Sequence, residues 1–354
     1  MRLDNNQRAF FALMRAGLWE QSVQLCNYGV LDFYDIYQIA ERHGAVGLVA
    51  AGLERVNDIR IPQNVALTFA GSALQLEQRN RAMNLFVAKT VEDMRRNSIY
   101  TVLVKGQGLA QCYERPLWRP SGDVDLFFSK SEFIKAIEYF KSLNVEIFQD
   151  AHYTKSFGIK KDSWIVELHG TLRSGLSTRL DKEIDTVQRD IFYGGNVRSF
   201  ILEDICIFMP GIDNDLFLLF THYIRHFYQN EFVLRQTCDW CRFLYKYKGE
   251  VDFALLEERL RNTFLLSDWK AFAVFAVDYL GIPVEFMPLY EDTNKWRKKA
   301  DKIAYYAIVN KRPSKLRDVW AVSNIFPLNT LRFLPALLFN VNCLKIRERL
   351  FGSS

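Results

Sequence analysis

The run Asp123-Val-Asp-Leu-Phe-Phe places two acids at alternate positions of an apolar, strand-like stretch. A β-strand has a period of two, so Asp123 and Asp125 project from one face and Val124 and Leu126 from the other. Two carboxylates side by side repel, and each makes the other harder to ionise. A divalent cation removes that conflict. Oxygen ligands of this kind suit Mg²⁺ or Mn²⁺, with substrate phosphates completing the coordination. A third acid follows in Trp164-Ile-Val-Glu-Leu-His, where Glu167 and His169 fall on one face of a second strand-like run. If the two strands are neighbours, Asp123, Asp125 and Glu167 converge, and three acids can hold two ions for phosphate chemistry. The competing reading of an isolated Asp-x-Asp is an edge strand whose acids pair with Lys or Arg.

The surrounding elements must position these groups. The first hundred residues read as successive helices, with Phe10, Phe11, Met14 and Leu18 at helical spacing. A second apolar face, Phe33, Ile36, Ile39 and Ala40, follows a candidate cap at Asp32 and stops at Arg42-His-Gly. A long breaker-poor segment runs from Pro62 to about Arg96. Texture changes at Ile99-Tyr-Thr-Val-Leu-Val, a buried-strand pattern, followed by Gly106, Gly108 and a short helix to about Glu114. Ser129-Lys-Ser-Glu has capping-box spacing ahead of another helix, and strands are expected over 145–148, 155–159 and 164–169. Helices return at about 213–229, 231–247, 252–264, 267–281 and 293–310. The expected fold is α+β: an N-terminal helical region over 1–98, a small mixed-sheet core over 99–210 and a C-terminal helical domain over 211–354.

Composition narrows the function classes. Of 354 residues, 49% are hydrophobic and 25% charged, and 28 Phe and 16 Tyr argue against disorder. A net charge of +5 suits a small anionic substrate but is too diffuse for a nucleic-acid groove. Six scattered cysteines make no disulfide framework. With no apolar signal core at the start and no run near the roughly 18 residues of a membrane span, a reduced, cytoplasmic protein is expected. The tail from Pro327 to Phe351 interleaves Leu and Phe with Arg332, Lys345, Arg347 and Arg349, the composition of a membrane-surface helix. Pro335 interrupts it, and docking on its own domain is the expectation.

The chain resembles the uncharacterised bacterial nucleotidyltransferases, within the polymerase β-type superfamily. The marks are Lys105-Gly106, Tyr113, Arg119, Asp123-Val-Asp-Leu126 and Glu167-Leu-His169, with His222, His226 and Asp239 in the later helices. The resemblance implies Asp123 and Asp125 as metal ligands, Glu167 as third ligand or base, and a nucleoside triphosphate as donor. It implies that Gly106 lets the backbone approach phosphates, with substrate contacts from His169, His222 and His226. Gln107 stands where the superfamily usually has Ser, and Arg115–Gly122 is an insertion; Lys105 and Arg119 are the candidate cations in compensation. The acceptor stays open: a sugar, a metabolite, RNA or a protein side chain. Alternatives are a degenerate nucleotide- or partner-binding module, which Gln107 favours, and an Asp-x-Asp glycosyltransferase, which needs a parallel α/β unit ahead of the motif. His222-Tyr-Ile-Arg-His226 with Cys238-Asp-Trp-Cys241 also has the donors of a His₂Cys₂ zinc site, although a CxxC inside a helix is usually a pair of buried thiols. Arg235 and Asp239, spaced i and i+4, read as a surface ion pair.

Overall fold

The computed structural model describes residues 3–149, 156–309 and 315–337. Asp4 caps α1 (Asn5–Trp19) reciprocally: its carboxylate accepts from Gln7 N and its own N–H donates to the Gln7 side chain. Asp32 caps α2 (Phe33–Arg42) as its position suggests, and α3 (Val46–Leu53) and α4 (Gln63–Arg96) complete the helical start. α1 and α3 cross on bare backbone. A Cβ on Gly17 would lie 1.8 Å from Leu48 O, and one on Gly52 would lie 2.0 Å from Leu13 O. No side chain fits there. The Trp19 indole N–H closes the far end of α1 on Leu280 O at 2.6 Å.

The central part runs β1 (Val102–Val104), α5 (Gly106–Ala110), β2 (Val124–Phe127), α6 (Lys130–Ser142), β3 (Glu146–Gln149), β4 (Ser156–Lys161), β5 (Trp164–His169), α7 (Thr178–Phe192), β6 (Val197–Leu202) and β7 (Ile205–Pro210). Five strands form one sheet in the order β1-β2-β5-β4-β3, and β6 and β7 form a hairpin. Only β2 and β5 pair in parallel; the other neighbours in the sheet are antiparallel. The small mixed sheet between helical regions is the expected α+β arrangement. Val124, Leu126, Val166, Leu168, Phe157 and Ile159 bury one sheet face against α4 and α6. The opposite face carries the acids.

Helices α8 (Ile212–Gln229), α9 (Leu234–Lys246), α10 (Phe253–Asn262) and α11 (Leu266–Phe275) follow, α11 continuing as a π-helical turn over Ala276–Leu280. α12 (Asn294–Val309), α13 (Lys315–Ser323) and a last helix, α14, over 327–337 end the described chain. α14 docks on its own protein through Phe333, Leu337 and Asn329, as expected for the start of the tail; residues 338–354, with Lys345, Arg347 and Arg349, lie outside the described residues. Beneath α14 the wholly buried Asp268 carboxylate accepts from Tyr228 Oη at 2.6 Å, from Ser267 Oγ at 2.9 Å and from the Asn329 amide. Among the described residues no helix is long and apolar enough to cross a membrane.

Several expectations are corrected. The strand read from Ile99 begins only at Val102, and the helix expected to run to Glu114 stops at Ala110. Asp123 lies one residue ahead of β2 rather than within it. Ser129 caps α6, but Glu132 does not return to the Ser129 N–H; its carboxylate accepts from Tyr100 N at 2.8 Å and ties the helix to the approach to β1. Of the strand expected over 155–159, Lys155 lies outside the described residues and the rest falls within β4 as expected.

Candidate metal centre

β2 and β5 run parallel with Asp125 directly opposite Glu167, and β1 brings Val104 beside Asp125 on the other side. Residues paired in register on neighbouring strands project to the same face, so the fold places the two carboxylates together. His169, two residues beyond Glu167, shares that face. One ligand atom each from Asp125, Glu167 and His169 can be chosen so that all lie within 4.8 Å of one another, close enough to hold one ion. His169 Nε2 is 2.6 Å from Asp125 Oδ1 and 3.6 Å from Glu167 Oε2, and Lys105 Nζ donates to Asp125 Oδ1 at 3.3 Å. Asp123 lines the same cleft without contributing to this group.

The electrostatics separate the three acids. Burial acts to raise the pKa of Asp125, but Lys105 and His169 outweigh it and hold the carboxyl well below the usual range. Burial raises Glu167, the Asp125 charge adds to it, and His169 only partly offsets the two. Asp123 is raised by burial and then by Asp125. Its partners therefore make Asp125 easier to ionise, while Asp123 and Glu167 are harder to ionise than usual. A divalent cation reverses that balance.

Above the acids opens a cleft of about 770 Å³. Lys105 reaches it from a strained turn, with φ +60° and ψ −138°, followed by Gly106 at φ +42°. A non-glycine residue held there costs about 1–3 kcal/mol, which the surrounding packing must supply. α8 and α9 form the facing wall with His222, Arg225, His226 and Arg235. Both arginines keep a buried Nε without a hydrogen-bond partner, although Arg235 also donates from Nη1 to Pro120 O. His222 Nε2 and His226 Nε2 are 3.1 Å apart, and His226 Nδ1 is 2.9 Å from Glu231 Oε2.

Other sequence-nominated groups are engaged elsewhere. Arg119 is 4% exposed and clasps Asp239 with two parallel bonds, Nε to Oδ1 at 2.6 Å and Nη2 to Oδ2 at 2.7 Å. Tyr113 Oη donates to the same carboxylate at 2.7 Å. Arg119 thus lies at the wall of the same cleft but is paired with Asp239, not with Asp123 or Asp125. Asp239 is buried and bound to Arg119, which overturns the surface pair with Arg235. Gln107 is also buried. Its amide donates to Asn84 and accepts from Ser121 Oγ at 2.6 Å, while Asn80 Nδ2 donates to Leu117 O and Arg119 O. The inserted loop is thereby pinned to α4. Cys238 and Cys241 are wholly buried in α9, with Cys238 Sγ 4.0 Å from Met14 Sδ, and they do not join the histidines in a metal-binding group.

Arg225 was missed from sequence, although its spacing of three from His222 on a helix already placed it on the histidine face. Arg235 was misjudged because the loop carrying Pro120 and Arg119 folds over the start of α9.

Fold and site together define an α+β protein whose mixed sheet carries a carboxylate–imidazole group, suited to a divalent cation, at the floor of a cleft with a cationic facing wall. A family described as uncharacterised nucleotidyltransferases matches residues 30–281, and the chain belongs to that family. No curated protein and no solved structure matches it.

Proposed function

We propose that the protein is a metal-dependent nucleotidyltransferase moving a nucleoside monophosphate from a nucleoside triphosphate to a hydroxyl acceptor. The observation that carries this is the Asp125–Glu167–His169 group on adjacent parallel strands, in a chain whose family is named for nucleotidyl transfer. Two carboxylates and an imidazole fit Mg²⁺ or Mn²⁺, the imidazole favouring Mn²⁺. A bound ion supplies neutralisation of phosphate oxygens. Asp123, one residue ahead of β2, is the first acid of the Asp-x-Asp pattern and adds a carboxylate from the same cleft. Lys105, Arg225 and Arg235 hold the triphosphate by charge-assisted hydrogen bonds, and Gly106 provides the positive φ that the turn requires. His222 and His226 contact substrate from the facing wall. The acceptor oxygen attacks the α-phosphorus, its proton passes to Glu167 or water, the bond to the bridging oxygen breaks, and pyrophosphate leaves. The chain contributes positioning and charge neutralisation.

Two rival readings remain to be separated from this one. The binding-module reading rests on Gln107, whose side chain is held in the Asn84–Ser121 network and not in the cleft; the convergence of Asp125, Glu167 and His169 favours catalysis over it. The glycosyltransferase reading needs a parallel α/β unit ahead of the motif, where α1 to α4 stand. The test is titration with each of the four ribonucleoside triphosphates, with Mn²⁺ or Mg²⁺ and without, for the protein and for a folded Asp125→Ala/Glu167→Ala variant. Metal-dependent binding of one triphosphate, lost in the variant, supports the proposal. Equal binding by both sinks it.

A further inference from the structure

We infer that His222 and His226 form a second divalent-metal site, in which both Nε2 atoms chelate a borderline transition ion such as Zn²⁺, Co²⁺ or Ni²⁺ and Glu231 orients His226. The two histidines sit one turn apart on α8, the spacing that puts paired imidazoles on one helix face. Their Nε2 atoms converge to 3.1 Å. Ligand nitrogens about 2.0–2.1 Å from one ion lie about 2.9–3.4 Å apart for bond angles between 90° and tetrahedral, so the observed separation needs no movement. Glu231 Oε2 holds the opposite nitrogen of His226 at 2.9 Å. This is the carboxylate–histidine arrangement that fixes the tautomer of a ligating ring and leaves its Nε2 lone pair free. Both rings line the cleft, and no third side chain among the described residues completes the group. Water or a substrate oxygen takes the remaining positions, the open arrangement of a site that exchanges ligands.

The charges around the pair are compatible with a dication. Lys105, Arg225 and His169 act on His222, but Lys105 is bound to Asp125, and Glu231 offsets Arg225. Burial, the largest influence on His222, and then Lys105 favour the unprotonated imidazole, the form that binds metal. Cys238 and Cys241 take no part, so this is not the His₂Cys₂ zinc site that the sequence spacing allowed.

The inference stands apart from the nucleotidyltransferase reading, because the two sites are removed by different variants. The full chain is titrated with Zn²⁺ alone, and with Co²⁺ followed by its visible absorption, at neutral pH. Two ions are expected to bind. His222→Ala or His226→Ala should remove one and leave the other's affinity within twofold, whereas Asp125→Asn/Glu167→Gln should remove only the other. Glu231→Gln should keep the stoichiometry and weaken the histidine site about 10- to 100-fold. The plain alternative is a hydrogen bond between the rings. Unchanged stoichiometry and affinity in both histidine variants, with fold verified by circular dichroism, would establish that alternative and overturn the inference.

Discussion

Replacing Asp239 by Asn tests whether Arg119 is held as structure or kept for phosphate. The native carboxylate accepts two charge-assisted bonds from Arg119 and one from Tyr113, with both ion partners about 4% exposed. The substituted amide would keep one acceptor, set an NH₂ against the guanidinium, and leave a buried cation without a counter-charge. Breaking one side of such a pair costs about 3–5 kcal/mol, a large part of the roughly 5–15 kcal/mol that holds a domain together. Removing the whole unit as Tyr113→Phe/Arg119→Met/Asp239→Leu should cost less than about 2 kcal/mol, because no charge is stranded. Urea denaturation followed by circular dichroism reads both numbers, provided the slopes agree. Mn²⁺ affinity should be unchanged in Arg119→Met. The reasoning is refuted if Arg119→Met loses under about 1 kcal/mol of stability yet abolishes triphosphate binding. Arg119 would then be the phosphate ligand that its sequence position suggested.

Asp123→Ala and Asp125→Ala should both abolish transfer with the fold intact, but calorimetry without nucleotide should show the larger loss of Mn²⁺ affinity, tenfold or more, in Asp125→Ala. Burial lifts the Asp268 pKa from 3.8 to about 6 despite its hydrogen bonds, so the folded protein binds the extra proton and its stability falls as pH rises from about 4 to about 6. Asp268→Asn should remove from that window a pH dependence of about 3 kcal/mol, measured by denaturation at pH 4 and pH 7. Gly52→Ala drives a Cβ into Leu13 O and should lower stability by about 3 kcal/mol, read as a fall in Tm.

Elements fixed by local rules were legible. Asp32 and Ser129 cap where hydroxyl and carboxylate caps belong, and α4 covers the breaker-poor stretch from Pro62 to Arg96 almost to the residue. Period-two alternation likewise put Glu167 and His169 on one face. What stayed hidden depends on partners distant in sequence. The neighbour relation of β2 and β5 is a pairing choice that no short-range pattern records. The β6–β7 hairpin turns on Glu203-Asp204, both at positive φ, without the Asn-Gly or Asp-Gly that announces such a turn. Arg119 looked free for phosphate, and the burial of Gln107 went unseen, because their partners Asp239 and Asn84 come from α9 and α4.

The bond from Trp19 to Leu280 also sets a timetable. α1 buries Phe11 against the rings of Phe275 and Tyr279, and its end is closed by a carbonyl 261 residues downstream. At roughly 5–20 residues per second, a ribosome needs about 13–52 s to cover that span. α3 can cover one side of α1 soon after it is made, but throughout that interval the side that meets Phe275 and Tyr279 lacks those partners. That part of α1 is open to aggregation until Leu280 is made, and a chaperone that holds α1 over the interval would protect it.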